Sequence, residues 1–190
     1  MIVCIVRHGE TAWNKFHLIQ GLTDNPLNAT GRKQARKVAE YLLQKDPNWD
    51  LIVSSSLLRA QETARIIASK INYHQEIIID ERFRERNFGS LEGQTLNAKN
   101  YDIILNRQIP ELELIDDVQK RVISGLNDLK IKYEVNKVLI VAHAQTIKSL
   151  LLYLNPHFDF RFPLKNSSMN YFEIKNGKIS ILKYNVTTDK

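Results

Sequence analysis

At 190 residues, with 43% apolar and 25% charged side chains, the chain has material for one well-buried core and too little for two. No window approaches the apolar length that spans a bilayer, and the first apolar run is too short for a signal peptide, so a cytoplasmic protein without membrane partners is expected. One cysteine excludes an internal disulfide and a cysteine-based metal cluster, while a net charge of +6 fits either a nucleic-acid partner or a pocket for an anionic substrate.

Residues 2–6 form an unbroken, β-branched apolar run, which predicts a short strand buried on both faces, with Cys4 as a chemically idle thiol. The run ends in Arg7-His8-Gly9-Glu10, at the point where an open α/β sheet puts its chemistry. Gly9 is expected to permit a sharp turn and close approach of a ligand. Residues 14–28 read as loop, with Gly21, Asp24, Asn25 and Pro26 as turn formers. Thr30 is the expected N-cap of a helix that buries Ala35, Val38, Ala39, Leu42 and Leu43 and ends at Asp46-Pro47. Its basic opposite face (Arg32, Lys33, Arg36, Lys37) reads as solvated. Residues 51–53 predict a second strand running into Ser54-Ser55-Ser56, followed by a helix through Leu57, Ala60, Ala64, Ile67 and Ile71. A third strand is expected over 76–80.

The pattern breaks between residues 81 and 116, apart from a helix expected over 101–105, and such a segment inside a compact domain is usually functional. A long helix follows through Val118, Val122, Leu126 and Leu129. Residues 137–142 predict a fourth buried strand that stops at His143, with Ile147, Leu150, Leu151 and Leu154 as the stripe of the next helix. Asn176-Gly177 between residues 170–174 and 178–182 predicts a terminal hairpin. The expected architecture is a single α/β domain over 1–190: a three-layer αβα sandwich, its central sheet largely parallel with an antiparallel C-terminal hairpin.

Three strands thus deliver polar clusters at their carboxyl ends: Arg7-His8, residues 54–59 with Arg59, and His143. Two guanidinium groups and two imidazoles in one crevice are costly unless an anion joins them, and guanidinium forks match phosphate oxygens. The other basic residues are dispersed, without zinc-finger spacing or an RNA-binding signature, so nucleic acid is not the expected partner.

The motifs Arg7-His8-Gly9-Glu10-Thr11 with Trp13-Asn14, Gln20-Gly21, Thr30-Gly31, Ser54-Ser55-x-Leu57-x-Arg59-Ala60-x-Glu62-Thr63, Glu85-x-x-Phe88-Gly89-x-x-Glu92-Gly93 and Val141-Ala142-His143 resemble, in order, those of the histidine phosphatase superfamily, the phosphoglycerate mutase-like fold. The resemblance runs from residue 1 to about 155. It implies His8 as nucleophile, kept neutral by Arg7, Arg59 and a charged His143 that also hold the phosphoryl oxygens. It implies Glu85 as general acid and base, with Glu81 as the fallback, and Glu10 as a residue that steadies the loop. Asn14, Gln20, Gly21, Ala144 and Gln145 would border the phosphorylated small-molecule substrate, and the helix after His143 would aim its first amides at the phosphate. No metal or other cofactor is implied. His17, His74 and His157 match no motif and read as surface or loop residues.

Two departures stand out. Ala144-Gln145 follows the second histidine where the family usually has glycine, and Leu112-Glu113-Leu114 keeps only the glutamate of a common Gly-Glu-Ser. The chain also lacks the long insertion that in mutases shields the phosphoenzyme from water. The expected function is a metal-independent phosphomonoesterase; a phosphoglycerate mutase and a non-catalytic phospho-ligand module remain the alternatives.

Overall fold

The computed structural model describes residues 1–106, 108–133 and 136–188. Its sheet has the order β3-β2-β4-β1-β5-β6, built from β1 (Ile2–Arg7), β2 (Leu51–Ser54), β3 (Ile78–Ile79), β4 (Lys137–Ala142), β5 (Met169–Lys175) and β6 (Lys178–Val186). The four strands β3, β2, β4 and β1 run parallel, and β5 and β6 are added antiparallel. The central position of β1 and β4 explains their continuous apolar runs, because both faces are covered. On one face Val3, Ile5, Val138 and Ile140 pack on α5 (Ile115–Tyr133) and α6 (Ala144–Leu154). On the other, Cys4, Val6, Ile52 and Val141 pack on α2 (Ala29–Lys45) and α3 (Leu58–Lys70). The result is the expected αβα sandwich. Cys4 is fully buried, and burial pushes its thiol up to about 12, which leaves it inert.

Register brings the chemistry together. Arg7 pairs with Ala142 and Ser54 with Val141, so Arg7-His8, Ser54-Ser55 and His143 leave the sheet side by side. A satellite core of Ile19, Phe88, Leu91, Ile104 and Leu112 supports the loops above them.

Several local expectations are corrected. Helix α2 is capped by Asn28, whose Oδ1 accepts from the Gly31 amide at 2.8 Å, and Thr30 lies inside the first turn. The loop expected over 14–28 begins inside a short helix, α1 (Ala12–Lys15), capped by a capping box between Thr11 and Asn14. β3 contracts to two residues at the sheet edge, pairing only with Val53 and Ser54. Helix α4 (Ala98–Asn106) starts before residue 101. Asn176 and Gly177 have φ of 50° and 75°, the left-handed pair that a tight hairpin requires. Gly9 is needed for packing rather than for a turn: a Cβ there would lie 2.4 Å from the Gly31 carbonyl oxygen, and one on Gly31 would lie 2.1 Å from the Glu10 oxygen. No helix among the described residues is long and apolar enough to cross a membrane.

Candidate active site

A cavity of about 490 Å³ opens beyond the carboxyl ends of β1 and β4. Arg7, His8, Asn14, Gln20, Glu85, Ala144 and Gln145 line its floor, and Leu18, Ile19, Phe88, Leu96, Tyr101 and Ile104 supply an apolar wall. Of the expected site residues, Arg59, His143 and Gly21 do not line it; they lie behind the floor.

His8 is buried, and its Nδ1 lies 2.7 Å from the Gly9 carbonyl oxygen. A carbonyl only accepts, so Nδ1 carries the proton and Nε2 keeps the ring's free lone pair. Burial, then the charges of Arg59 and Arg7, hold this imidazole neutral, well below its usual 6.5. The loop is pinned on all sides. The His8 amide donates to Ala142 O, its carbonyl accepts from Ser167 N and Asn166 Nδ2, and the Gly9 amide donates to Thr63 Oγ1. Glu10 accepts from Asn28 Nδ2 at 2.7 Å, which holds the loop against α2.

Arg7 donates to the Leu164 carbonyl and keeps a buried, unpartnered Nε. Arg59 is fully buried, donating from Nη2 to Gly21 O at 2.7 Å and from Nη1 to Thr23 O at 3.0 Å. With the Gln20 amide turned to satisfy both neighbours, its oxygen accepts from Arg59 Nε at 2.8 Å and its nitrogen donates to Thr11 Oγ1. Gly21 therefore serves as a backbone acceptor for Arg59, and its α-carbon abuts Glu92, where a Cβ would stand 2.2 Å from Oε1. Burial lowers both arginines to about 10, so both remain cationic at neutral pH. Asn14 uses Oδ1 for the Thr11 amide, which frees its Nδ2 donor for the cavity.

The rings of His8 and His143 lie 5.0 Å apart between centroids. His143 Nε2 is 2.8 Å from Ser55 Oγ, and its buried Nδ1 has no partner. Because Ser55 Oγ accepts from the Leu57 amide, its hydroxyl can donate to Nε2, which leaves Nδ1–H as a free donor. The expectation of a charged His143 is corrected: burial and then Arg59 keep it neutral, well below 6.5.

Glu85 is buried at the start of α6, accepting from the amides of Gln145 at 3.2 Å and Thr146 at 3.2 Å. Those first amides were expected to face the phosphate; a carboxylate takes them instead, the charge that a helix N-terminus favours. Arg121 on α5 fixes the loop that carries Glu85, donating to the carbonyls of Arg82, Arg84 and Glu85 and to the Glu113 carboxylate. Glu113 in turn accepts from the Asn87 amide at 3.1 Å. The retained glutamate of the Leu112-Glu113-Leu114 departure thus braces the acid loop.

Sequence reasoning missed Arg121, Asn166 and Lys148, and it placed Ser55 in the second polar cluster without its bond to His143. Lys148 had a signal, since it follows Ala144 by one helical turn and shares its face. Arg121 and Asn166 act on backbone carbonyls, which carry no sequence signature. His17, read as a loop residue, borders the cavity mouth at a φ of 53°.

Comparison with known proteins gives the family. The family model described as histidine phosphatase superfamily (branch 1) matches residues 3–187. The uncharacterized phosphatase PhoE of Bacillus subtilis is 39% identical over 98% of this chain and 95% of its own. A probable phosphoglycerate mutase, GpmB of Yersinia enterocolitica, is 33% identical over 88% of this chain and 82% of its own. The crystal structure of a mutant phosphoserine phosphatase from Entamoeba histolytica, in complex with phosphoserine, superposes with a TM-score of 0.80 at 32% identity, covering 97% of this chain and 96% of that one.

Proposed function

The chain belongs to the histidine phosphatase superfamily, and from that premise we propose that it hydrolyses small phosphomonoesters through a phosphohistidine on His8. The observation that carries the reading is the 2.7 Å contact of His8 Nδ1 with the Gly9 carbonyl oxygen: it assigns the proton to Nδ1 and leaves Nε2 as a neutral nucleophile in a cavity shared with Arg7 and Glu85.

In the first step Nε2 attacks phosphorus and the ester P–O bond breaks. Glu85 gives its proton to the departing oxygen. Arg7 and the Nδ1–H of His143 neutralise the equatorial oxygens, and Arg59 adds its charge from beneath. In the second step Glu85 takes a proton from water, the water oxygen bonds phosphorus, the N–P bond breaks, and phosphate leaves. Metal independence is part of the proposal, because two guanidiniums flank both imidazoles and repel a divalent cation.

The test is hydrolysis of 4-nitrophenyl phosphate with excess chelator. We expect wild-type turnover insensitive to the chelator and a loss of about 10³-fold or more in His8→Ala. Absence of turnover in the wild type overturns the proposal in favour of a binding module.

The mutase relatives favour a second reading, phosphoryl transfer between positions of phosphoglycerate. Among the described residues between Glu85 and His143, Phe88, Leu96, Tyr101 and Ile104 border the cavity, a short cover that supports access of water and hence hydrolysis. Interconversion of phosphoglycerates dependent on a bisphosphate primer, without phosphate release, would select the mutase.

A further inference from the structure

Arg7 stands between two cavities. One is the cavity of His8 and Glu85; the other, of about 310 Å³, opens toward α2 and is bordered by Arg7, Lys37, Lys165, Asn166, Ser167 and Thr188. Arg7, Leu164 and Asn166 border both, so they form the partition. No acidic side chain borders the outer cavity among the described residues.

Exposed ammonium groups alone would make only a weak surface charge. Two features of the partition distinguish this place. Ser167 is 5% exposed and borders the outer cavity alone, and its Oγ has no hydrogen-bond partner among the described residues. Arg7 is half-buried, gives Nη1 to the Leu164 carbonyl, keeps a buried Nε without a partner and forms no ion pair among the described residues. Buried polar atoms are nearly always satisfied, so an orphan hydroxyl beside an unpaired guanidinium and an exposed ammonium calls for a ligand with several acceptor oxygens.

The same segment holds the nucleophile loop. The Ser167 amide donates to the His8 carbonyl at 3.2 Å, Asn166 Nδ2 donates to that carbonyl at 3.1 Å, and the Ser168 carbonyl accepts from the Arg7 amide at 3.0 Å. We propose that the outer cavity is a second, non-catalytic site for a tetrahedral oxyanion, phosphate or sulfate, free or as the end group of a larger molecule, and that its occupation slows the reaction through Arg7. A dianion on the α2 side of the guanidinium cancels part of the positive potential offered to the transferring phosphoryl group on the other side. The two sites therefore oppose each other.

Two readouts test this, and the first is independent of turnover. In crystals of the full chain soaked with selenate, anomalous scattering should place an ion bordered by Arg7, Lys165 and Ser167, and Lys165→Glu should remove it. The second is 4-nitrophenyl phosphate turnover against sulfate, with ionic strength held by potassium chloride. Sulfate at His8 competes with substrate and raises KM alone, whereas sulfate in the outer cavity lowers kcat. We expect saturating sulfate to lower the wild-type kcat by about fivefold, and by about twofold or less in Lys165→Glu and in Ser167→Ala. Lys165→Glu, an exposed position, should keep the basal kcat.

No ion in the outer cavity overturns the proposal, as does an ion there without a fall in kcat, which would be an adventitious ion only. A fall in kcat that Lys165→Glu preserves also overturns it. Inorganic phosphate and phenylphosphonate separate the sources: a fall with both admits an organic tail, and a fall with phosphate alone assigns the free ion. Absence of wild-type turnover would overturn the phosphatase reading instead, and the selenate result would still decide the site.

Discussion

The Glu85 carboxylate sits 3.2 Å from the amide of Thr146, three residues beyond His143, so the acid loop is anchored to the element that begins with the second imidazole. A carboxylate on a helix N-terminus is held in place by the helix, and its proton transfer can be tested apart from nucleophilic attack. Glu85→Gln should slow hydrolysis of alkyl phosphates by about 10²–10⁴-fold. With 4-nitrophenyl phosphate, whose leaving group needs no proton, the same variant should release one equivalent of 4-nitrophenol in a burst and then stall. Stopped-flow absorbance reads both phases; equal losses on the two substrates with no burst would remove Glu85 from the acid–base role.

Arg121 holds that loop by four acceptors, the carbonyls of Arg82, Arg84 and Glu85 and the Glu113 carboxylate. Arg121→Met leaves Glu113 with only the longer Arg84 pair at 3.6 Å and removes the bonds to three carbonyls, so it should cost about 1–3 kcal/mol of stability, read as a lower urea midpoint. Because Arg121 positions Glu85 and touches no substrate, kcat for alkyl phosphates should fall more than KM rises. Arg121→Lys should rescue little, since one ammonium cannot reproduce a fork across several acceptors.

Gly31→Ala tests the contact between the nucleophile loop and α2. The added Cβ would fall 2.1 Å from the Glu10 carbonyl oxygen and 2.6 Å from its nitrogen, both backbone atoms. Relief requires moving the loop that carries His8, so stability should drop by about 1–3 kcal/mol and activity should fall with it. Thermal unfolding and 4-nitrophenyl phosphate turnover measure the two effects; an unaltered melt would mean that the contact relaxes freely.

The two depressed imidazoles give stability a pH dependence. His8 and His143 both titrate well below 6.5 in the folded chain, whereas the unfolded chain takes up their protons near that value. Between those limits the unfolded state binds more protons, so this contribution is present above about pH 6.5 and is lost as pH falls. Melting temperature should decline from pH 7.5 to 5, and His8→Asn with His143→Gln should flatten the decline. A slope unchanged by the double substitution would place the titrating groups elsewhere.

Much of this was legible in the chain itself, for identifiable reasons. The runs at residues 2–6 and 137–142 are apolar on both faces because β1 and β4 occupy the sheet centre, a pattern an edge strand does not show. Three isoleucines at 77–79 could not indicate that β3 has only Val53 and Ser54 to pair with. The N-cap was misread because Asn28 and Thr30 are both good caps, and Asn28 holds that place with its amide and side chain both bonded to Glu10. Arg59 was legible as a buried cation near the nucleophile, but its partners, Gly21 O and Thr23 O, are backbone atoms that any residue supplies. The charge state of His143 was not legible, since it follows from burial that only the assembled sheet creates.

The central claim is that His8 Nε2 becomes covalently bonded to phosphorus during turnover. Rapid acid-free quenching of the enzyme with a phosphate-radiolabelled phosphomonoester, followed by peptide mapping, tests it directly. The account predicts a label on the peptide containing His8 that is stable to alkali, labile to acid and absent in His8→Ala. A label on another residue, or an acid-stable one such as a phosphoserine at Ser55, would contradict it.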